Sequence, residues 1–352
     1  MAVQTVTGKI TREQLGVVAP HEHVFIDLTG FYDYHPVKGC ADPANDPVQM
    51  HHLGVLSRDP YAIRDNLILS DPELQYREVR EFALAGGNTI VDASSPGIGR
   101  DVRALRKIAE RTGLNVIAGT GYYVGATHPA SFSSMSDEDV ADTMIRELRE
   151  GMEGTDIRAG YIGEIGISEN FTEAEKKALR ASAIAQRATG VGVEVHINPW
   201  MDIGVEAAQI LLDGGVPAEK ICICHIDVQN HKDYIKKLLD LGVYVEFDNF
   251  GKEYYVDIDA RRPGYDIFVK DTDRVSLLAE LLQEGYEEQI LLTCDLCLKS
   301  LLHAYGGWGY DHVLTNIVPM MREYGITDRQ IDGMLRDNPA NFFDVPDSFA
   351  SL

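Results

Sequence analysis

The stretch VVAPHEHV, residues 17–24, ends a short apolar run with two histidines that flank a glutamate. Side chains two residues apart on an extended strand point to the same face, so His21 and His23 share one face. Imidazoles on one face could hold a metal ion together, and they could equally be two ordinary polar residues. The rest of the chain has to distinguish these interpretations.

Seven more short runs rich in valine and isoleucine follow along the chain, separated by longer segments. With the first, the eight predicted strands are 17–24, 88–94, 115–122, 161–168, 191–198, 220–227, 243–249 and 289–295. Helical spacing of apolar residues predicts helices at 72–86, 138–152, 172–190 and 273–285. Alternating units of this kind predict a parallel sheet, and eight strands is the number that closes a TIM barrel.

A doubly wound open sheet is the competing α/β layout. No glycine-rich phosphate loop follows the first predicted strand, which counts against the open sheet. We therefore predict a (β/α)8 TIM barrel that spans residues 1–352 as a single domain. Long loops are predicted at 25–70 after strand one and at 251–271 after strand seven, and such loops often cover active sites.

Composition narrows the class of protein. The 352 residues carry a net charge of −23, from 32 basic and 55 acidic side chains, and such a surface repels nucleic acid and anionic membranes. The start, MAVQTVTGKI, shows no signal peptide, no apolar run is long enough to cross a bilayer, and five cysteines fit reduced thiols, so a cytoplasmic location is expected. The expected partner is a small-molecule substrate, with no nucleic acid and no membrane, and a homodimer is a candidate assembly.

Side chains that bind metals stand at the carboxyl ends of five predicted strands, where barrel enzymes place their chemistry. They are His21, His23, Glu164, His196, His225 and Asp295. A single histidine at a strand end is usually a structural residue, but six such groups at equivalent positions favour a metal site. Six ligands are too many for one catalytic zinc ion and suit two divalent ions, with zinc the first choice and manganese or cobalt the alternatives.

These motifs resemble the phosphotriesterase-related proteins of the amidohydrolase superfamily, which include phosphotriesterase-like lactonases. The resemblance rests on HEH, the acidic residue of strand four, HIN, CHID and LLTCD, and on the tail segments YGGWGYDHVLTNIVPMM (305–321) and DNPANFF (337–343). It implies a distorted (β/α)8 barrel with a binuclear metal centre. His21, His23 and Asp295 would hold the more buried metal, His196 and His225 the more exposed one, and Glu164 would bridge both.

The bridging position departs from the pattern of many members of that family. Phosphotriesterase itself has a lysine there, modified with carbon dioxide to a carbamate, whereas this chain has Glu164 in YIGEIG. A glutamate already offers two anionic oxygens, so we expect it to bridge the metals without modification. The alternative is a glutamate that only caps a group near the barrel.

The resemblance implies a metal-dependent hydrolase that opens a lactone, such as a sugar lactone with or without a phosphate. A hydroxide that bridges two metals would attack the substrate, and Asp295 would carry the proton as the catalytic residue. Two alternatives stay open: a phosphotriesterase or aryl ester hydrolase, and a catalytically silent metal-binding protein.

Substrate contacts are harder to predict than metal ligands. The resemblance places Tyr123 beside the exposed metal, although it could be an ordinary rim aromatic. Four cations could hold a substrate phosphate or lie solvated on the surface; they are Lys252, Arg261, Arg262 and Lys299. Asp227 could orient His225 or cap the following helix.

Overall fold

The computed structural model describes residues 2–256 and 266–345. Its strands in chain order are β1 (Ala2–Thr5), β2 (Gly8–Thr11), β3 (Val18–Glu22), β4 (Ile26–Asp27), β5 (Ile68–Leu69), β6 (Thr89–Asp92), β7 (Asn115–Thr120), β8 (Tyr161–Gly166), β9 (Val193–His196), β10 (Ile221–Ile223), β11 (Tyr244–Phe247) and β12 (Ile290–Leu292). Eight of them form one parallel sheet in the order β12-β11-β10-β9-β8-β7-β6-β3. Each lies within one of the eight predicted strands, so the nearly closed TIM barrel is confirmed.

The junction between the first and last barrel strands, which we call the seam, is held mainly just beyond the end of β12. The carbonyl oxygen of His21 accepts a hydrogen bond from the amide of Asp295 at 3.2 Å, and Thr293 Oγ1 lies 3.1 Å from the same oxygen. The buried carboxylate of Glu22 adds further hydrogen bonds to this segment. The two ends of the sheet therefore meet at the level where the metal-competent side chains lie.

The barrel interior is layered. Its lower part is an apolar cluster that includes Val18, Val91, Ile117 and Tyr161. The antiparallel hairpin of β1 and β2 and the aromatic rings of the last helix pack against the same cluster, which closes the amino-terminal end. Because that end is sealed with apolar side chains, the polar groups of the interior gather toward the carboxyl ends of the strands.

The helices are α1 (Leu53–Leu56), α2 (Pro72–Leu84), α3 (Val102–Thr112), α4 (Asp137–Arg149), α5 (Glu173–Thr189), α6 (Gly204–Asp213), α7 (Lys232–Asp240), α8 (Asp271–Gln283), α9 (Val318–Glu323), α10 (Asp328–Asp332) and α11 (Asn338–Phe343). Helix α5 shows how capping residues in the sequence can locate both ends of a helix. Thr172 and Glu175 form a reciprocal capping box at its start, and Gly190 ends it with φ 73°. Among the described residues, none of these helices has both the length and the apolar character needed to cross a membrane.

The segment between β3 and α2 is more ordered than a plain loop. Strands β4 and β5 pair antiparallel at its base. A small apolar core then holds the segment together, formed by Val37, Val48, Leu56, Ala62 and Ile63. The second predicted loop, between β11 and α8, includes residues 257–265, which lie outside the described part of the chain.

Candidate metal centre

The structure brings the six predicted metal-competent side chains together at the mouth of the barrel. The Glu164 carboxylate lies centrally, 3.5 Å from His21 Nε2, 3.6 Å from His23 Nε2, 3.3 Å from His196 Nδ1 and 3.7 Å from His225 Nε2. Asp295 Oδ1 lies 3.1 Å from His23 Nε2 and 3.7 Å from His21 Nε2. Side chains from five strand ends therefore converge on one small volume.

The two histidines of the first strand are held by partners on their outer nitrogens. His23 Nδ1 lies 2.9 Å from Ser94 Oγ, and this hydroxyl donates to the carbonyl oxygen of Phe25 at 2.8 Å. Ser94 must therefore accept from a protonated His23 Nδ1, which leaves the Nε2 lone pair facing the centre. His21 Nδ1 faces Glu194 and Glu246 at 3.0 and 3.1 Å, which fixes the same tautomer.

The other two histidines come from β9 and from just beyond β10. The Asp248 carboxylate accepts a hydrogen bond from the backbone amide of His225 at 2.8 Å and lies 3.1 Å from its Nδ1, so His225 Nε2 points inward. His196 Nδ1 lies 2.8 Å from His225 Nε2, and the Tyr123 hydroxyl lies 3.3 Å from His196 Nε2. Burial and the nearby Glu164 carboxylate raise the pKa of Tyr123 well above its ordinary value, so the phenol stays protonated.

Two of the six residues occupy a backbone conformation that side chains rarely adopt. His225 has φ 60° and Asp295 has φ 45°, both in the left-handed region. Such a conformation costs on the order of 1–3 kcal/mol and persists only where the surroundings fix it. Both residues lie just beyond a strand, His225 after β10 and Asp295 after β12, at the mouth of the barrel.

The residues fit a bound cation. Within the described part of the chain, His21 Nε2 and Glu164 Oε2 are buried and make no hydrogen bond, so both lone pairs are available as ligands. Burial disfavours a charged imidazole, but the carboxylate of Asp248 raises the pKa of His225 to about 10. Inward lone pairs within a field that favours positive charge are what a divalent metal requires. The ligand atoms of His21, His23 and Asp295 lie close enough to hold an ion, and so do those of His21, Glu164 and His225; because the two triads share His21, only one of them could use its Nε2 at a time.

A lysine lies against this cluster. The buried side chain of Lys252 is ion-paired with Asp295 Oδ2. Burial alone would raise the pKa of Asp295, but Lys252 and the neighbouring histidines hold it well below its usual range. Lys299, also proposed for substrate binding, is instead ion-paired with Asp65. Arg261 and Arg262 lie outside the described residues.

Asp227 fills neither predicted role: it is not the carboxylate that lies against His225, and the residue at the N-cap of α7 is His231. Its carboxylate accepts from the amide and the side chain of Asn249 and pairs with Arg274 at 3.1 Å, while Asp248 is the carboxylate that contacts His225. Asp248 is the next-to-last residue of the predicted strand 243–249, so its position near a strand end could have suggested this contact. Ser94 ends the predicted strand 88–94, but its residue type does not indicate a metal site, and its contact with His23 depends on two strands being neighbours.

Comparison with known proteins agrees with this geometry. A family model described as the phosphotriesterase family matches residues 1–343. The chain belongs to the phosphotriesterase family. N-acetyltaurine hydrolase of Xenopus tropicalis is 38% identical over 350 residues, covering 96% of each chain.

Two solved structures extend the comparison. A resiniferatoxin-binding protein from Rhodobacter sphaeroides superposes with a TM-score of 0.93 and 32% identity, covering 97% of this chain and 95% of its own. A mutant of a phosphotriesterase-like lactonase from Deinococcus radiodurans gives 0.76 and 28%, covering 97% and 100%. Family membership and the named hydrolases confirm the predicted enzyme class, a metal-dependent hydrolase.

Proposed function

We propose that this chain is a binuclear metal-dependent amidohydrolase that cleaves small N-acyl compounds carrying an anionic group, with N-acetyltaurine as the lead substrate. The observation that carries the proposal is the buried Lys252 beside Asp295, which places a cation next to the proposed proton carrier. The 38% identity to an N-acetyltaurine hydrolase over nearly the whole chain supports the same substrate class. The proposal treats residues 1–352 as one catalytic domain.

In this proposal each member of the cluster has one role. The four histidines, Glu164 and Asp295 would hold two divalent ions, with Glu164 serving both as an unmodified glutamate. When bound, the ions lower the pKa of water and polarise a carbonyl oxygen. The outer partners Ser94 and Asp248 keep the histidine lone pairs directed inward.

Proton transfer falls to Asp295. Burial alone would raise its pKa, but Lys252 and the neighbouring histidines hold it below the usual range, so it enters the reaction ionised. Its position against the metal-competent cluster would let it take up the proton lost by the attacking water. It then returns that proton to the leaving nitrogen, because an amine leaves only when it is protonated. The Tyr123 hydroxyl, beside His196, can donate a hydrogen bond to the substrate carbonyl oxygen.

Recognition of the anion falls to Lys252. An ammonium group in a buried site interacts strongly with a sulfonate or carboxylate because little water screens the pair. The overall charge of −23 would otherwise repel an anionic substrate, so a local cation inside the mouth is needed. Lys299 contributes less in this proposal: its partner Asp65 is not part of the cluster, whereas Asp295, the partner of Lys252, would also be shared with the bound ions.

Lactone hydrolysis is the second candidate. The relative from Deinococcus radiodurans that is named a phosphotriesterase-like lactonase favours it, and a lactone carbonyl would use the same ligand set. An ester leaving group needs less protonation than an amine, so loss of Asp295 as proton carrier should affect lactones less than amides. This difference separates the two candidates experimentally.

The test measures product release by the zinc- or manganese-loaded chain from N-acetyltaurine, neutral N-acetylethanolamine, a panel of lactones with and without a phosphate, and a phosphotriester. We expect amine release from N-acetyltaurine. Lys252→Met should raise KM for N-acetyltaurine and leave KM for N-acetylethanolamine nearly unchanged, while Asp295→Asn should lower kcat for both. Two bound metals without release of any amine would refute the proposal, and lactone opening in that case would establish the second candidate.

A further inference from the structure

Glu22, between the two histidines of the first strand, is fully buried and faces the seam. Its Oε1 accepts from Thr293 Oγ1 at 2.6 Å and from the amide of Cys294 at 3.0 Å. Its Oε2 accepts from the amide of Leu296 at 2.7 Å. One carboxylate from β3 thus binds three donors in the segment that follows β12.

The residue between the two bound amides is Asp295. Its own amide donates to the carbonyl oxygen of His21, so the backbone is fixed at three consecutive amides, and its φ is 45°. A non-glycine residue keeps the left-handed conformation only where the surroundings determine it. Without that conformation the Asp295 carboxylate would not turn toward His23.

The chemistry of this contact requires a carboxylate. All three partners are donors, and only a side chain with acceptors at both oxygens can satisfy them. A glutamine of the same shape keeps one oxygen but places an NH2 group against a donor, so at least one hydrogen bond is lost. His21 and His23 directly precede and follow Glu22, so one short segment carries two metal ligands and also fixes the backbone around Asp295.

We propose that Glu22 is a positioning residue: it holds Asp295 in the left-handed conformation that presents this carboxylate to the metal centre. The inference rests on the proposed function only in taking Asp295 as a metal ligand. The HEH motif accordingly combines two ligands with the group that positions a third ligand, Asp295, whose neighbours Cys294 and Leu296 lie 272 and 274 residues after Glu22.

The experiment measures zinc affinity of the full-length chain by competition with a chromophoric chelator, without substrate. Glu22→Gln should weaken the binding of one of the two ions about 10- to 100-fold, the range seen when a group that orients a metal ligand is removed. Glu175→Gln is the matched control. Glu175 is also a fully buried glutamate that accepts several hydrogen bonds, from Gly125, Ser168 and Thr172, but it does not contact Asp295. It should lower the melting temperature and leave zinc affinity unchanged.

Wild-type affinity for both ions in Glu22→Gln, or equal weakening in Glu175→Gln, would overturn the inference. If Glu22→Gln does not fold, Thr293→Val decides, because it removes the hydroxyl donor alone and should weaken zinc binding in the same direction but less. Unchanged zinc affinity in that variant would also overturn it. The zinc-affinity measurement contains no substrate. Its outcome is therefore independent of whether the chain hydrolyses N-acetyltaurine, and failure of the proposed function can be told apart from failure of this inference.

Discussion

Replacing Lys252 with methionine should destabilise the protein far more without metal than with it. The change removes the ammonium group that is ion-paired with the buried Asp295 and keeps a side chain of similar length. Removing one partner of a buried ion pair costs about 3–5 kcal/mol, because the other charge is left without compensation. An unfolding entropy of about 2.1 cal/mol/K per residue gives about 0.74 kcal/mol/K for 352 residues. The melting temperature of the chelator-treated protein should therefore fall by about 4–7 °C.

Divalent ions should largely remove this loss, because they provide a new positive partner for Asp295. The assay is differential scanning calorimetry of wild type and Lys252→Met, each with excess zinc and after exhaustive chelation. Lys299→Met is the matched control: its ion pair with Asp65 is partly exposed, so the change should cost less than about 1 kcal/mol with or without metal. An equal loss in the zinc-loaded and metal-free forms of Lys252→Met, or no loss in either, would refute the reasoning.

Three further changes test other parts of the structure. Asp248→Asn removes the negative charge at the oxygen that contacts both the amide and Nδ1 of His225, and it should weaken the binding of one metal about 10- to 100-fold, measured by chelator competition; unchanged affinity would contradict the role of this carboxylate. Lys220→Met leaves three carbonyl oxygens at the end of α11 without their donor. The free energy of unfolding, measured with guanidinium, should fall by at least about 2 kcal/mol, and a fall below about 0.5 kcal/mol would contradict a stabilising role of this lysine. Burial opposes the charge of His303, but the hydrogen bond to Asp311 raises its pKa; the pair therefore stabilises the fold below about pH 6.5 and loses that effect as the pH rises through the raised value. His303→Gln should flatten this part of the melting-temperature profile against pH, and an unaltered profile would exclude the pair as its cause.

The barrel was predictable because its strands are buried on both faces and therefore read as continuous apolar runs. Helices α3, α6 and α7 were not predicted, since each spans about three turns or less and gives the helical period few repeats. The strands β4 and β5 were missed for a related reason. Two residues per strand show no alternation, and only their pairing reveals them.

The predicted ligands share a sequence signal, because each lies in the carboxyl-terminal half of a strand or shortly after a strand. Two of the groups that support His21 give no such clear signal. Glu194 and Glu246 lie within apolar strands, where a lone glutamate does not show what it faces, and only the closed barrel brings both to His21. The contact between Lys252 and Asp295 likewise depends on the path of a long loop, which local pattern does not determine.

The seam also has a consequence for biosynthesis. The HEH motif is translated early, whereas Cys294, in the segment that Glu22 binds, follows 272 residues after Glu22. At about 5–20 residues per second, a ribosome needs roughly 15–55 seconds to make that stretch. The growing polypeptide therefore exposes its first two histidines to cellular metal for most of its translation, before the aspartate that completes their set has been made.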